Sequence, residues 1–146
     1  MSTAATPGTG ATFGDELTLS GYSVPNKNGH TEVELHWKTL RKPSADYTVF
    51  VHAVDNKGGI AFQFDHVLKN ASGSGTSSWA QGDNVNDWFS ADLPRTCAPG
   101  VYPLRIGLYT WKPFKNILLT QTTLPRPGDE WKDRAVLIGN VECKVH

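Results

Sequence analysis

From Thr31 to Thr39 the chain alternates: Val33, Leu35 and Trp37 fall between Glu32, Glu34, His36 and Lys38. That period of two fits a strand with one dry and one wet face, whereas a helix would spread the same apolar side chains around its circumference. Tyr102, Leu104, Ile106 and Leu108 share one parity, with Pro103, Arg105, Gly107 and Tyr109 on the other, so a second strand with one core face is expected there. Tyr47 to Asp55 is β-branched or aromatic on both parities, which reads as a central strand covered on much of both faces. Asp55 to Gly59 supplies turn residues, and Ile60 to Phe64 returns as the second arm of a hairpin.

Further strands are expected at Glu16 to Val24, Val85 to Leu93, Ile117 to Gln121 and Arg134 to Val145. Gly- and Pro-rich punctuation separates them, and nine prolines and fourteen glycines interrupt every candidate helix. The expected fold class is therefore all-β, an antiparallel two-sheet β-sandwich of about eight strands. A sandwich is preferred to a barrel because the strands are unequal in length and Lys69 to Asn84 is long enough to cross between sheets.

A chain of 146 residues fits one domain. Residues 13–146 are assigned to it, and Met1 to Thr12, rich in Ser, Thr, Ala, Gly and Pro, reads as a flexible linker or an expression remnant rather than a signal peptide. Such a start suggests that the domain belongs to a longer chain. Fourteen basic and fourteen acidic residues cancel, so no basic face for nucleic acid is implied. Apolar runs such as Ile117-Leu118-Leu119 fall far short of the ~20 residues that a membrane-spanning helix needs.

Cys97 and Cys143 have no close Cys or His partner at zinc-site spacing. A disulfide between them and a pair of buried free thiols are both open readings.

Catalytic signatures are missing: there is no G-x-S-x-G elbow, phosphate-cradling glycine loop or H-E-x-x-H. No catalytic residue and no enzymatic activity are expected. Should His36, His52 and Asp65 converge, they would suit a metal ion or acid–base work. Asp65, Asp83, Asp87 and Asp92 near strand ends offer oxygen ligands for calcium, although no D-x-D-x-D-G loop holds them together.

Tryptophans carry more information. Trp37 and Tyr102 have core parity, but Trp79, Trp88, Trp111 and Trp131 stand among polar residues in or beside expected loops. An exposed indole is unfavourable unless it packs locally or meets a ligand. The C–H faces of sugar rings stack on indoles while Asp, Asn, Gln and Arg satisfy the hydroxyls. Trp side chains that cap the ends of the sandwich are the competing reading.

Four phrases occur in order: Phe13 to Tyr22 (FGDELTLSGY), Asp46 to His52 (DYTVFVH), Trp79 to Asp87 (WAQGDNVND) and Pro99 to Tyr109 (PGVYPLRIGLY). Together they resemble the β-sandwich accessory domain of bacterial cell-envelope proteins, including lipid-linked-sugar glycosyltransferases, from Phe13 to Val145. The resemblance implies an extracytoplasmic or secreted module, immunoglobulin-like, jelly-roll-like or carbohydrate-module-like, that is part of a larger chain and has no activity of its own. Trp111 and Trp88 depart from that family's pattern and add indole at expected loop positions.

The expected function is carbohydrate binding by Trp79, Trp88, Trp111 and Tyr109 with Asp65, Asp87 and Arg105 as polar partners. A glycan or another envelope protein is the expected partner, and no cofactor is expected, a calcium ion being the one candidate. A structural or protein-interaction domain is the alternative, and a small metal-dependent protein built on His36, His52 and Asp65 is the third reading.

Overall fold

The computed structural model describes residues 10–27, 30–111, 114–128 and 131–143. Alternation in the sequence becomes twelve strands there: β1 (Ala11–Phe13), β2 (Leu17–Ser23), β3 (Asn26–Lys27), β4 (His30–Thr39), β5 (Thr48–Val54), β6 (Ile60–Gln63), β7 (His66–Val67), β8 (Asn84–Ser90), β9 (Gly100–Thr110), β10 (Lys115–Asn116), β11 (Leu119–Thr122) and β12 (Val136–Cys143). The count exceeds the expected eight because β3, β7 and β10 are two-residue pieces lying against longer strands.

All pairings are antiparallel and form two sheets. In the first, β11, β1, β2 and β4 are neighbours in that order, and β8 and β3 also pair with β4. The second runs β10, β9, β5, β6, with β12 also on β9 and β7 also on β5. The chain is thus an all-β, two-sheet sandwich. Among the described residues no helix is long and apolar enough to cross a membrane.

The inner faces meet as the period of two requires. Leu17, Leu19, Val33, Leu35 and Trp37 from the first sheet pack in one cluster with Val49, Val51, Ala53, Leu104, Ile106 and Leu108 from the second. Each Val, Leu or Ile side chain among them, taken fully from water, contributes about 1.5–3 kcal/mol. Phe13 closes one end against Trp37, ring centroids 6.0 Å apart. Between β1 and β2, Gly14 and Asp15 adopt φ of 59° and 56°, the left-handed pair of a primed hairpin turn. The expected hairpin after β5 forms as well: the Asp55 carboxylate accepts the Lys57 and Gly59 N–H groups at 2.8 and 2.9 Å.

Several expectations need correction. β1 begins at Ala11, inside the segment read as linker; Ala11 is buried and the Gly10 N–H donates to Thr123 Oγ1 at 2.9 Å. Three residues of strand, though paired with β11 on one side and β2 on the other, are too short for alternation to mark them. The strand expected at Ile117 to Gln121 starts later, as β11 in the first sheet, and buried Ile117 lies in the short link to it from β10 in the second.

The Lys69 to Asn84 segment does pass between sheets, from β7 in the second to β8 in the first. Cys97 and Cys143 are joined as a disulfide, with Cα atoms 6.1 Å apart, tying the segment after β8 to the end of β12. The outer parity of β9 is not wet either. Arg105, Gly107 and Tyr109 are all buried, because residues 131–135 fold back over that face.

Candidate functional site

β5 alternates Val49, Val51 and Ala53 into the core with Phe50 and His52 on the outer face of the second sheet. Beside them β9 presents Gly107 and Tyr109, paired with Phe50 and Thr48 respectively. Gly107 is required by close approach: a Cβ there would lie 2.2 Å from the Phe50 ring and 2.3 Å from the Arg134 carbonyl oxygen. That space lets the Phe50 ring lie flat and lets residues 131–135 cross above it, with the Arg134 and Ala135 N–H groups both donating to the Trp131 carbonyl.

A groove of about 350 Å3 results, lined by aromatic rings with polar groups at its rim. Phe50 and His52 form its floor, stacked with centroids 4.6 Å apart. Trp131 makes one wall, its ring 5.3 Å from Phe50 and 5.2 Å from His52. The Arg105 and Arg134 guanidinium groups stack on Trp131 at 4.2 and 4.8 Å. Tyr109, Trp111 and Phe114, from β9 and the hairpin that follows it, make the opposite wall with centroids 5.2 to 5.7 Å apart. Trp111 is 63% exposed and Phe114 58%. Gln63, Asp65, Asn116 and Arg134 supply the polar groups.

Asp65 is held in place, its Oδ1 accepting the Val51 N–H at 3.0 Å and its Oδ2 facing the Tyr109 hydroxyl at 3.5 Å. Burial raises its carboxyl above the usual range, against the pull of those two donors and of the His66 charge. Burial also raises the Tyr109 phenol, and the neighbouring Asp65 charge adds to the effect.

Of the residues expected to bind ligand, the groove collects Tyr109, Trp111 and Asp65. Arg105 sits behind it, buried, bonded to His52 and stacked on Trp131. The other three lie elsewhere. Trp79 is 0% exposed and belongs to the core, its indole N–H donating to the Ser74 carbonyl at 3.0 Å. The Lys69 to Asn84 segment crosses the sandwich end, so the one large apolar side chain it carries there goes inward. Asp87 points between the sheets and meets His66 at 2.7 Å.

Trp88 is 59% exposed but stands on strand β8, not in a loop. It lines a polar cleft with Lys69, Asn70, Asp83 and Asn86 on the first sheet. The four tryptophans expected in or beside loops thus scatter: Trp111 and Trp131 share the groove, while Trp79 and Trp88 do not.

His36, on β4, does not join His52 and Asp65; it pairs with Glu34 at 2.9 Å in the other sheet. Asp83 accepts the Ala80 N–H, and Asp92 bonds His30 and the Thr31 N–H. The four aspartates considered for calcium therefore have separate partners, and among the described residues no three His, Cys, Asp or Glu side chains gather as a metal site.

Sequence reasoning missed Phe50, Phe114, Gln63, Asn116 and the binding role open to His52. A signal existed for Phe50 and His52. They are the second parity of a strand read as covered on both faces, and that parity forms the groove floor. Compared with models of known protein families, with curated proteins and with solved structures, the chain matches none.

Proposed function

We propose that this chain is a non-catalytic binding module and that its groove takes carbohydrate. One observation carries the reading: Trp111 and Phe114 stay more than half exposed while packed against Tyr109, at the mouth of a concave site with Gln63, Asp65, Asn116 and Arg134 around it. Aromatic surface left in water is unfavourable at roughly 25 cal/mol per Å2, and the C–H face of a pyranose covers it without demanding a dry polar partner. The amide, carboxylate and guanidinium groups then meet the sugar hydroxyls. A volume of about 350 Å3 suits one or two sugar rings and is small for a folded protein partner.

The Cys97–Cys143 disulfide favours an oxidising compartment, in keeping with an extracytoplasmic module and with the family resemblance. Carbohydrate binding is tested on a glycan array, followed by calorimetry of the best binder. Trp111→Ala and Phe114→Ala are expected to abolish binding, and Trp88→Ala to leave it intact. Loss with Trp88→Ala alone moves the site to the other sheet and overturns the assignment.

A second reading, docking of a protein chain, has its own observation: among the described residues β8 pairs only with β4, leaving one strand edge next to exposed Trp88. Cross-linking to a partner through β8, with no glycan bound, is the result that favours it.

A further inference from the structure

We propose that His52 sets the specificity of the groove. Arg105 locks it as the Nε2–H tautomer, so the floor offers one fixed N–H donor and selects a neutral sugar that places an acceptor oxygen over it. The proposal rests on the groove being a carbohydrate site.

The argument starts from what each group is able to do. A guanidinium has donors and no acceptor. Nε and Nη2 of Arg105 lie 3.3 and 3.0 Å from His52 Nδ1, so that nitrogen presents its lone pair and the single proton of the neutral ring sits on Nε2. Phe50 stacked at 4.6 Å and the edge contact with Trp131 at 5.2 Å fix the ring plane. The side chain is only 4% exposed and lines the groove, and its Nε2 has no hydrogen-bond partner among the described residues. That N–H opens on the groove with no protein acceptor among those residues, and a ligand oxygen is able to accept it in place of water. A hydroxyl, ring or acetamido oxygen qualifies; an ammonium group has no lone pair to offer and meets a donor already backed by a cation.

The charged groups around the ring agree. Arg105 approaches from β9, Arg134 stacks on the adjoining Trp131, and Asp65 lies at the rim. Burial first, and the Arg105 charge second, push the His52 imidazole down to about 4, so the ring stays neutral where free histidine titrates.

Two measurements test the proposal. Long-range 15N–1H spectra of the wild-type protein should show His52 as the Nε2–H tautomer, unchanged between pH 5.5 and 8. Arg105→Gln, checked for folding by near-ultraviolet circular dichroism, should release it to a mixture of tautomers. A wild-type Nδ1–H tautomer, or an Arg105→Gln spectrum like wild type, overturns the lock.

The second measurement is titration calorimetry with triacetylchitotriose, mannotriose and cellotriose, and with the chitosan trimer as the cationic counterpart. For whichever neutral probe binds tightest, His52→Phe should weaken binding at least tenfold and His52→Gln, which keeps an N–H donor, by less than about threefold. The chitosan trimer should bind at least tenfold more weakly than triacetylchitotriose. If Trp111→Ala abolishes binding while His52→Phe binds as wild type, the groove stands and the role of His52 is overturned. Equal binding of the chitosan trimer overturns the selection of a neutral acceptor. Wild-type protein that binds none of the neutral probes at millimolar concentration overturns both the groove reading and this proposal.

Discussion

His66 and Asp87 join the two sheets, the Nε2 of His66 on β7 lying 2.7 Å from Asp87 Oδ2 on β8. The other ring nitrogen, Nδ1, lies 2.9 Å from the Phe64 carbonyl oxygen. A carbonyl and a carboxylate are both acceptors, so both nitrogens carry protons and the ring is an imidazolium. Burial opposes that charge, but the bond to Asp87, the Asp87 charge, the Phe64 carbonyl and the Asp65 charge outweigh it, and the pKa of His66 is raised.

A group whose pKa is raised on folding contributes stability that is complete below its unfolded value, near 6.5, and is lost as pH rises through the folded value. His66→Gln is expected to cost about 1–3 kcal/mol at pH 6, chiefly by leaving buried Asp87 short of a charged partner, and less at pH 9. Urea unfolding of both proteins at the two pH values checks this. A penalty that grows toward pH 9 contradicts the imidazolium assignment.

His52 has the opposite sign. Its pKa falls on folding from 6.5 to about 4, through burial and then the Arg105 charge, so below 6.5 the unfolded chain takes up a proton that the folded ring refuses. Stability should decline as pH drops through that window, by up to about 1.4 kcal/mol per pH unit from this one group. His52→Gln should flatten the acid limb of a stability-versus-pH curve measured by urea unfolding. An unchanged acid limb counts against a buried neutral ring.

Trp79 and Trp111 should separate stability from binding. Trp79→Ala empties a core position and is expected to cost about 3–5 kcal/mol, whereas Trp111→Ala removes a ring already mostly in water and should shift stability by less than about 0.5 kcal/mol. Thermal unfolding of the two variants, read beside the glycan titration, makes the comparison. Equal destabilisation by both would mean that Trp111 is held by packing rather than waiting for a ligand.

Reducing the Cys97–Cys143 bond releases a loop that spans 46 residues of sequence separation. Loop-closure entropy puts the loss at about 2–4 kcal/mol. The double variant Cys97→Ser, Cys143→Ser should show a lower urea midpoint than the oxidised protein, with a similar far-ultraviolet spectrum because the sheet pairings do not depend on the bond. A midpoint identical to the oxidised protein would leave the cross-link with no part in stability.

Much of the sandwich is legible in single strands. Alternation at Val33, Leu35 and Trp37 and at Leu104, Ile106 and Leu108 names the core faces, because side-chain direction in a strand reverses at each residue whatever the rest of the chain does. The Asp55 to Gly59 turn is equally local. The groove was legible only in part: Tyr109, Trp111 and Asp65 were picked out, yet Trp79 looked the same, since Ser-Ser-Trp-Ala-Gln and Tyr-Thr-Trp-Lys-Pro are equally polar surroundings for an indole.

The sequence by itself thus determined most of the strands, their core faces and the turns, all of which follow from backbone geometry over a few residues. Tertiary structure decided which tryptophans face solvent and which carboxylate meets which histidine. It also decided that residues 131–135 roof the outer face of β9, and that Cys97 comes within bonding reach of Cys143. Those outcomes depend on where segments tens of residues apart arrive, and packing of the whole chain sets them, with no trace in the local pattern.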